Sequence, residues 1–279
     1  MTFGCDMQKN QCEKFFFGIP LISKSASKDW ERIQYLFENT LRSILAQTDP
    51  NFKVLVAGHE MPEVVEMQDP RVEFLACDSP PPKTSQEMMA DKGSKAFAIA
   101  RRLKEAGGGY LMYVDADDLV SNRIVDWVHS NPSHGYLADK GYCLDIESGK
   151  AYTVEDLVGK PFHQICGTCS IIYFDEVDLP DGPSPEESSP CYFMQFGGHT
   201  TLEKVSSRAG RPLIALPFVA SVYVLNHGLN YSEGALLGLP RHPLRIATKL
   251  LARWQSQILR KKLASIASEF SVPARYMQK

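Results

Sequence analysis

The chain has 279 residues, of which 44% are hydrophobic, and this suits one large α/β domain or a domain with an appendage. Its formal net charge of −3 argues against a global role in binding nucleic acid. Seven scattered cysteines, an odd number, are typical of reduced cytosolic thiols. Residues 1–14 are polar and the apolar run 15–22 is too short to span a bilayer, so we expect a cytoplasmic protein without an export signal.

In chain order, the first half alternates between short apolar runs and amphipathic segments. The apolar runs, which we expect to be strands, cover residues 15–22, 52–58, 72–75 and 110–114. Apolar residues at helical spacing predict helices over residues 28–46 and 94–106. This alternation predicts an α/β fold with a mostly parallel sheet flanked by helices.

The second half is less regular. We expect a strand within 166–174, a helix over 200–209, mostly extended chain over 212–224 and a long basic helix over 243–270. Residues 178–191 contain four prolines and clustered Ser and Glu, which predicts a long loop of the kind that often covers a substrate. We therefore divide the chain into a main domain, 1–240, and a helical tail, 241–279.

An acidic motif follows the predicted strand 110–114, which three glycines precede. Asp115 and Asp117 point the same way in an extended segment, and Asp118 follows directly. Two convergent carboxylates repel each other unless a cation lies between them, and Mg²⁺ is commonly shared between carboxylates and substrate phosphates. The motif therefore predicts a metal–diphosphate site at a strand's C-terminal end, where open α/β sheets bind ligands. Alternatively, Asp118 or Ser121 caps the helix expected over 122–128, although three Asp residues exceed what a cap needs.

Other segments accompany this motif in a particular order. They are FGIPL at 17–21, LRSILAQT at 41–48 leading into FKVLV at 52–56, DKGSK at 91–95, and residues 199–210 followed by 216–217 and 223–227. With these segments, the chain over about residues 15–232 resembles the glycosyltransferases of the GT-A fold, especially the family-2-like group.

The resemblance implies an inverting hexosyltransferase-like enzyme that uses a nucleotide-diphosphate sugar with Mg²⁺ or Mn²⁺, as in polysaccharide biosynthesis. The acceptor would be a glycan or a lipid-linked glycan, and no nucleic-acid partner is expected. The resemblance makes Asp117 a metal ligand, places Asp115 at the metal or the ribose, and gives Asp118 an assisting role. It also places Pro20 at the donor.

Two lysines and one glutamate are further donor-site candidates. Lys92 and Lys95 lie where the predicted helix begins, where they could neutralise phosphate as a helix N-terminus does, or they could simply belong to a solvated helix face. The family's second strand usually ends in acidic residues that hold the base and ribose, whereas here the chain reads Gly58-His59-Glu60. Glu60 is the candidate substitute, which leaves the donor nucleotide open.

The family commonly carries Glu-Asp before the helix that we expect at 200–209, and this chain has Gly198-His199 there. Because a histidine can take a proton from an acceptor hydroxyl, His199 is the candidate catalytic base. Alternatively, it is a surface histidine in a Gly-rich turn, or a metal ligand with Asp175 or Glu203 as the base. His227 completes the metal site by resemblance, or is a turn histidine, and imidazole suits Mn²⁺ better than Mg²⁺.

Two further patterns have competing interpretations. Cys166 and Cys169 are spaced like a redox or zinc pair, but no second ligand pair has fitting spacing, so we expect buried strand cysteines. Residues 241–279 contain nine Lys or Arg and one acid, and apolar residues recur at helical intervals from 244 to 258. Such a basic amphipathic helix predicts peripheral contact with the inner membrane face, or packing on the main domain.

Two other classes of function compete with the transferase. Haloacid dehalogenase phosphatases also use Asp-x-Asp after a strand, but near the N-terminus and before Gly-Thr or Gly-Val, unlike the Leu119-Val120 found here. A non-catalytic protein that binds sugar nucleotides or associates with membranes could keep the same fold, and the missing Glu-Asp at 198–199 favours it.

Overall fold

The structure is a computed structural model that describes residues 14–147, 150–154, 159–225 and 267–276. In chain order its strands and helices are β1 Phe15–Pro20, α1 Trp30–Leu45, β2 Phe52–Gly58, β3 Val72–Ala76, α2 Ser85–Glu105, β4 Gly109–Tyr113, β5 Leu119–Val120, α3 Ile124–Ser130, β6 Gly135–Leu137, β7 Tyr142–Asp145, β8 Lys150–Thr153, β9 Ser170–Phe174, α4 Leu202–Arg208, β10 Ile214–Ala215 and β11 Ser221–Leu225. Within this part of the chain, no helix is both long enough and apolar enough to cross a membrane.

Seven strands form the main sheet, in the order β10-β6-β9-β4-β1-β2-β3. All neighbours are parallel except β9, which runs antiparallel to both β4 and β6. Helix α2 packs on β1 and β2. The predicted α/β class and the mostly parallel sheet flanked by helices are confirmed. The reversed strand β9 was not predicted, because an apolar run carries no information on strand direction.

The strand order reverses between β1 and β4. The chain builds β1, β2 and β3 outward in one direction and then returns to place β4 on the other side of β1. Gly18 lies beside Tyr113, so the C-terminal ends of β1 and β4 are adjacent. A crevice outside the carboxyl ends of two strands at such a reversal is the general ligand site of open α/β sheets.

The predicted tight turn before β4 is confirmed. Gly107, Gly108 and Gly109 have φ angles of +87°, +83° and +137°, a region that side-chain-bearing residues rarely adopt. A Cβ at Gly108 would lie 2.5 Å from the carbonyl oxygen of Phe174, so the turn also packs closely against the end of β9.

Helix α2 begins nine residues earlier than predicted. Thr84 caps it, since the Thr84 hydroxyl accepts a hydrogen bond from the backbone N–H of Glu87 at 3.2 Å. Its first turns are mostly exposed and include Gly93, so they lack the apolar spacing on which the prediction depended. Lys92 and Lys95 therefore lie inside the helix, and their predicted position at its beginning is wrong.

A second sheet, with strand order β5-β11-β7-β8, was not predicted. Residues 267–276 pack against it: Phe270, Val272 and Tyr276 are buried, and the ring of Phe270 meets that of Tyr142 edge-on, with 6.2 Å between centroids. Residues 267–271 form turns, so the helix predicted over 243–270 does not include its last residues. Most of that basic segment lies outside the described residues.

Candidate active site

A cavity of about 390 Å³ opens where the strand order reverses. It lies beyond the ends of β1 and β4 and reaches α2 on one side and the turn before α4 on the other. Six of the residues predicted for the site line this first cavity: Pro20, Lys92, Lys95, Asp115, Asp117 and His199. Tertiary structure thus brings together side chains from four separate parts of the chain.

The carboxylate of Asp115 is paired with Lys92. The Nζ atom of Lys92 lies 2.5 Å from Oδ1 of Asp115, and this negative charge raises the pKa of Lys92 above its ordinary value. A Cβ at Gly167 would lie 3.1 Å from Oδ2 of Asp115, so glycine allows the backbone to approach the carboxylate closely. Lys92 therefore supplies a positive charge beside the acidic motif.

Asp118 faces away from the first cavity and is fully buried. Its Oδ2 accepts hydrogen bonds from Oγ1 of Thr168 at 2.6 Å and from Sγ of Cys166 at 3.1 Å. Its Oδ1 accepts the backbone N–H of Val224 at 3.3 Å. Burial, with the nearby charges of Asp117 and Asp115, raises the pKa of Asp118 well above its ordinary value. Asp118 was expected to assist at the donor, but it does not line either cavity. Its hydrogen bonds instead join the acidic motif to the loop before β9 and to β11.

The helix-cap interpretation is wrong for Asp118, which is turned inward. Arg123 is the N-cap residue of α3 and its own side chain makes no capping hydrogen bond. Ser121 does act at that end of the helix, because its Oγ accepts the backbone N–H of Arg123 at 3.3 Å. Ser121 also donates its hydroxyl to Oε1 of Glu269 at 2.6 Å, which ties the flank of the acidic motif to the packed residues 267–276.

Thr168 links the two ends of the acidic motif and is not among the residues predicted from the sequence. Its Oγ1 accepts the backbone N–H of Asp115 at 2.9 Å while donating to Asp118, and the side chain is fully buried. A lone threonine 50 residues beyond the motif gives no sequence signal for such a contact. Cys166 and Cys169 are buried free thiols, as expected, although they precede β9 rather than lie in it. Burial raises the pKa of Cys166 well above its ordinary value.

Lys95 and Glu60 are occupied by internal partners. Only 1% of the Lys95 side chain is exposed, and its Nζ lies 2.5 Å from Oδ2 of Asp91, so the solvent-facing interpretation is wrong for this lysine. Glu60 accepts the backbone N–H of Lys24 at 2.9 Å and the hydroxyl of Ser23 at 3.3 Å. It thus fastens the loop after β1 and lines neither of the two cavities described here.

His199 lies at the junction of the first cavity and a second one. It begins the turn His199–Thr201 that precedes α4. Burial lowers the pKa of His199 below its ordinary value, so the neutral form that can accept a proton is favoured.

The alternative bases lie elsewhere. Asp175 follows β9, whose antiparallel register places Phe174 beside Gly109, so Asp175 is at the opposite end of β4 from Asp115. The side chain of Glu203 is 70% exposed, and its Oε2 lies 4.0 Å from Nε2 of His163. His199 is thus the only one of these three candidate bases that lines the first cavity.

The carboxylate oxygens that line the first cavity fit a hard divalent cation whose remaining ligands are substrate oxygens. Asp115 and Asp117 both line the cavity, and Mg²⁺ typically uses one or two carboxylates together with phosphate oxygens. No group of three or more His, Cys, Asp or Glu side chains suited to a metal occurs among the described residues. His227, the third predicted ligand, lies outside them.

The second cavity, of about 340 Å³, adjoins the first and shares Lys92, Asp115 and His199 with it. It extends between α2 and the segment before α4, over β4 and β9.

Comparison of the chain with protein-family models finds no match, and comparison with curated proteins finds none either. Any functional assignment therefore depends on the motifs and on the geometry of the two cavities.

Proposed function

We propose that this chain is a glycosyltransferase of the GT-A type that transfers a sugar from a nucleotide-diphosphate donor to a hydroxyl acceptor with Mg²⁺ or Mn²⁺. One observation carries the proposal. Two carboxylates, Asp115 and Asp117, share a cavity with the cation of Lys92 and the neutral imidazole of His199, at the point where the strand order reverses. The carboxylates suit a divalent cation, Lys92 suits a diphosphate, and His199 suits an acceptor hydroxyl.

Asp115 and Asp117 would hold the metal together with diphosphate oxygens. When bound, the cation stabilises the negative charge that develops on the leaving nucleoside diphosphate. Lys92 reaches Asp115 from the middle of α2, and half of its side chain is exposed to the cavity and solvent. It can therefore turn its ammonium group to the diphosphate without losing the attraction of the acidic motif.

His199 has the properties of the general base. Its lowered pKa favours the neutral imidazole at pH 7, the form that can accept the proton of an acceptor hydroxyl. In the inverting reaction, the acceptor oxygen forms a bond to the anomeric carbon. The bond from that carbon to the diphosphate oxygen breaks, its electron pair leaves with the diphosphate, and the hydroxyl proton passes to His199.

The test replaces one carboxylate of the acidic motif. Asp117→Asn should abolish Mn²⁺-dependent binding of nucleoside diphosphate, because the amide oxygen is a weaker ligand and carries no charge. Asp126→Asn is the matched control, since it removes the same charge from an exposed position on α3. The readout is the thermal shift with UDP, GDP, CDP and dTDP, with and without Mn²⁺, which also identifies the preferred nucleobase of the donor.

Binding that requires Mn²⁺ in wild type and Asp126→Asn, but not in Asp117→Asn, would support the assignment. Equal metal-dependent shifts in both variants would sink it. Hydrolysis of the matching nucleotide sugar in the presence of Mn²⁺ then separates an enzyme from a non-catalytic binding protein, because only the enzyme releases free sugar.

A further inference from the structure

The walls of the second cavity differ sharply between its two ends. Its two charged lining residues, Lys92 and Asp115, and the imidazole of His199 are all at the end that it shares with the first cavity. Beyond them, the only side-chain polar groups that the described residues contribute to the lining are the hydroxyls of Ser170 and Tyr113. The Tyr113 hydroxyl already donates to the carbonyl oxygen of Ala96 at 2.7 Å. The far end is thus apolar, while the near end opens onto the proposed chemistry.

The far end is also built from aromatic rings. The ring of Phe174 is 5.9 Å from that of Phe193 and 6.2 Å from that of Phe196, both in edge-on arrangements. Tyr192 supports this cluster, with its ring 4.9 Å from that of Phe196. Aromatic rings prefer edge-to-face and offset contacts, so these faces and edges suit another flat ring.

We propose that the second cavity binds an aromatic portion of the acceptor, attached to the hydroxyl that receives the sugar. The inference rests on the proposed function and names the class of acceptor. A wholly polar sugar in this cavity would leave most of its hydroxyls without partners, which is unfavourable. An aromatic group there would remove apolar surface from water on both sides, while its hydroxyl reaches His199 at the shared end.

The size of the cavity agrees with such an occupant. A cavity of roughly 150 Å³ is enough to bind benzene. The second cavity, at about 340 Å³, is more than twice as large and has room for two fused rings. The natural acceptor would thus be a phenolic or aryl-substituted alcohol rather than a plain oligosaccharide.

Gly93 offers a way to fill this cavity without disturbing the core. It lies inside α2 and lines the second cavity but not the first, and a Cβ there would meet nothing within 4 Å. Gly93→Leu should place four carbons at the cavity wall, while Gly93→Ala adds only the Cβ. Both variants replace a helical glycine with a better helix former, so neither should destabilise the fold.

The experiment uses 2-naphthol as the probe and measures its dissociation constant by fluorescence titration of the full chain. Wild type and Gly93→Ala should bind it saturably, and Gly93→Leu at least tenfold more weakly. UDP binding with Mn²⁺, measured in parallel, should be the same in all three proteins. Equal naphthol affinity in the two Gly93 variants would overturn the proposal, as would 1-octanol binding more tightly than 2-naphthol, which would indicate an aliphatic occupant.

The two readouts keep this inference separate from the proposed function. Loss of naphthol binding in Gly93→Leu supports an aromatic site whether or not any nucleoside diphosphate binds. Metal-dependent nucleotide binding without naphthol binding would leave the transferase proposal standing and overturn the aromatic acceptor.

Discussion

Replacing Thr168 with valine should destabilise the protein and loosen the acidic motif together. The fully buried Thr168 hydroxyl accepts the backbone N–H of Asp115 at 2.9 Å and donates to Oδ2 of Asp118 at 2.6 Å. Valine has nearly the same shape but neither hydrogen-bonding capacity. Thr168→Val therefore leaves a backbone donor and a buried carboxyl group each short of one partner.

The size of the effect follows from these two bonds. A buried polar group left without its partner costs about 1–3 kcal/mol. Asp118 keeps its hydrogen bonds from Cys166 and Val224, so its loss lies at the low end of this range, and the loss of both contacts should lower the free energy of unfolding by about 2–4 kcal/mol. Thr168→Ser is the matched control, because it keeps the hydroxyl and removes one buried methyl group, at a cost of about 0.8 kcal/mol. The valine variant should thus be less stable than the serine variant by roughly 1–3 kcal/mol.

Urea unfolding followed by circular dichroism measures this difference in stability. The midpoints can be compared directly if the free energy of unfolding falls with urea concentration at the same slope in both variants. Metal-dependent nucleoside diphosphate binding should also be weaker in Thr168→Val than in Thr168→Ser, since Asp115 loses its backbone anchor. If the valine variant is as stable as the serine variant, the two hydrogen bonds of Thr168 do not hold the acidic motif in place.

Three further predictions concern the candidate base His199, the ammonium group of Lys92 and the glycine turn before β4. Turnover should have an acid limb with a midpoint below the ordinary histidine pKa of 6.5, because burial lowers the pKa of His199, and His199→Ala should remove that limb. By the same shift, the stability that neutral His199 contributes is present above pH 6.5 and is lost as the pH falls through the lowered pKa. Lys92→Met should weaken nucleoside diphosphate binding about tenfold or more, because it removes one charge-assisted hydrogen bond, and calorimetry measures the change. The control Lys204→Met, which replaces an exposed lysine, should leave the affinity unchanged. Gly107→Ala should cost about 1–2 kcal/mol for its positive φ. Gly108→Ala should cost more in the same unfolding assay, since its Cβ would lie 2.5 Å from the Phe174 carbonyl oxygen, and equal costs would contradict the close packing of this turn.

Much of the fold could be predicted from the sequence where the signal is local. The strand Phe52–Gly58 and the turn at 107–109 were predicted correctly, because apolar runs and consecutive glycines restrict the chain by themselves. The first part of α2 was missed, since its stability comes from a cap and not from an apolar stripe. The direction of β9 and the second sheet depend on pairing between distant segments, which hydrophobic periodicity does not record.

The candidate site, like the fold, has features that the sequence predicts and features that depend on tertiary structure. The sequence indicated the position of Asp115 and Asp117, because residues that directly follow a buried strand of an open α/β sheet lie at the edge where ligands bind. Only the tertiary structure decided that Lys92 faces Asp115, that Asp118 turns inward to Thr168, and that His199 stands between two cavities. The physical reason is that burial, ion pairing and cavity shape depend on which distant segments the sheet brings within a few ångströms of each other.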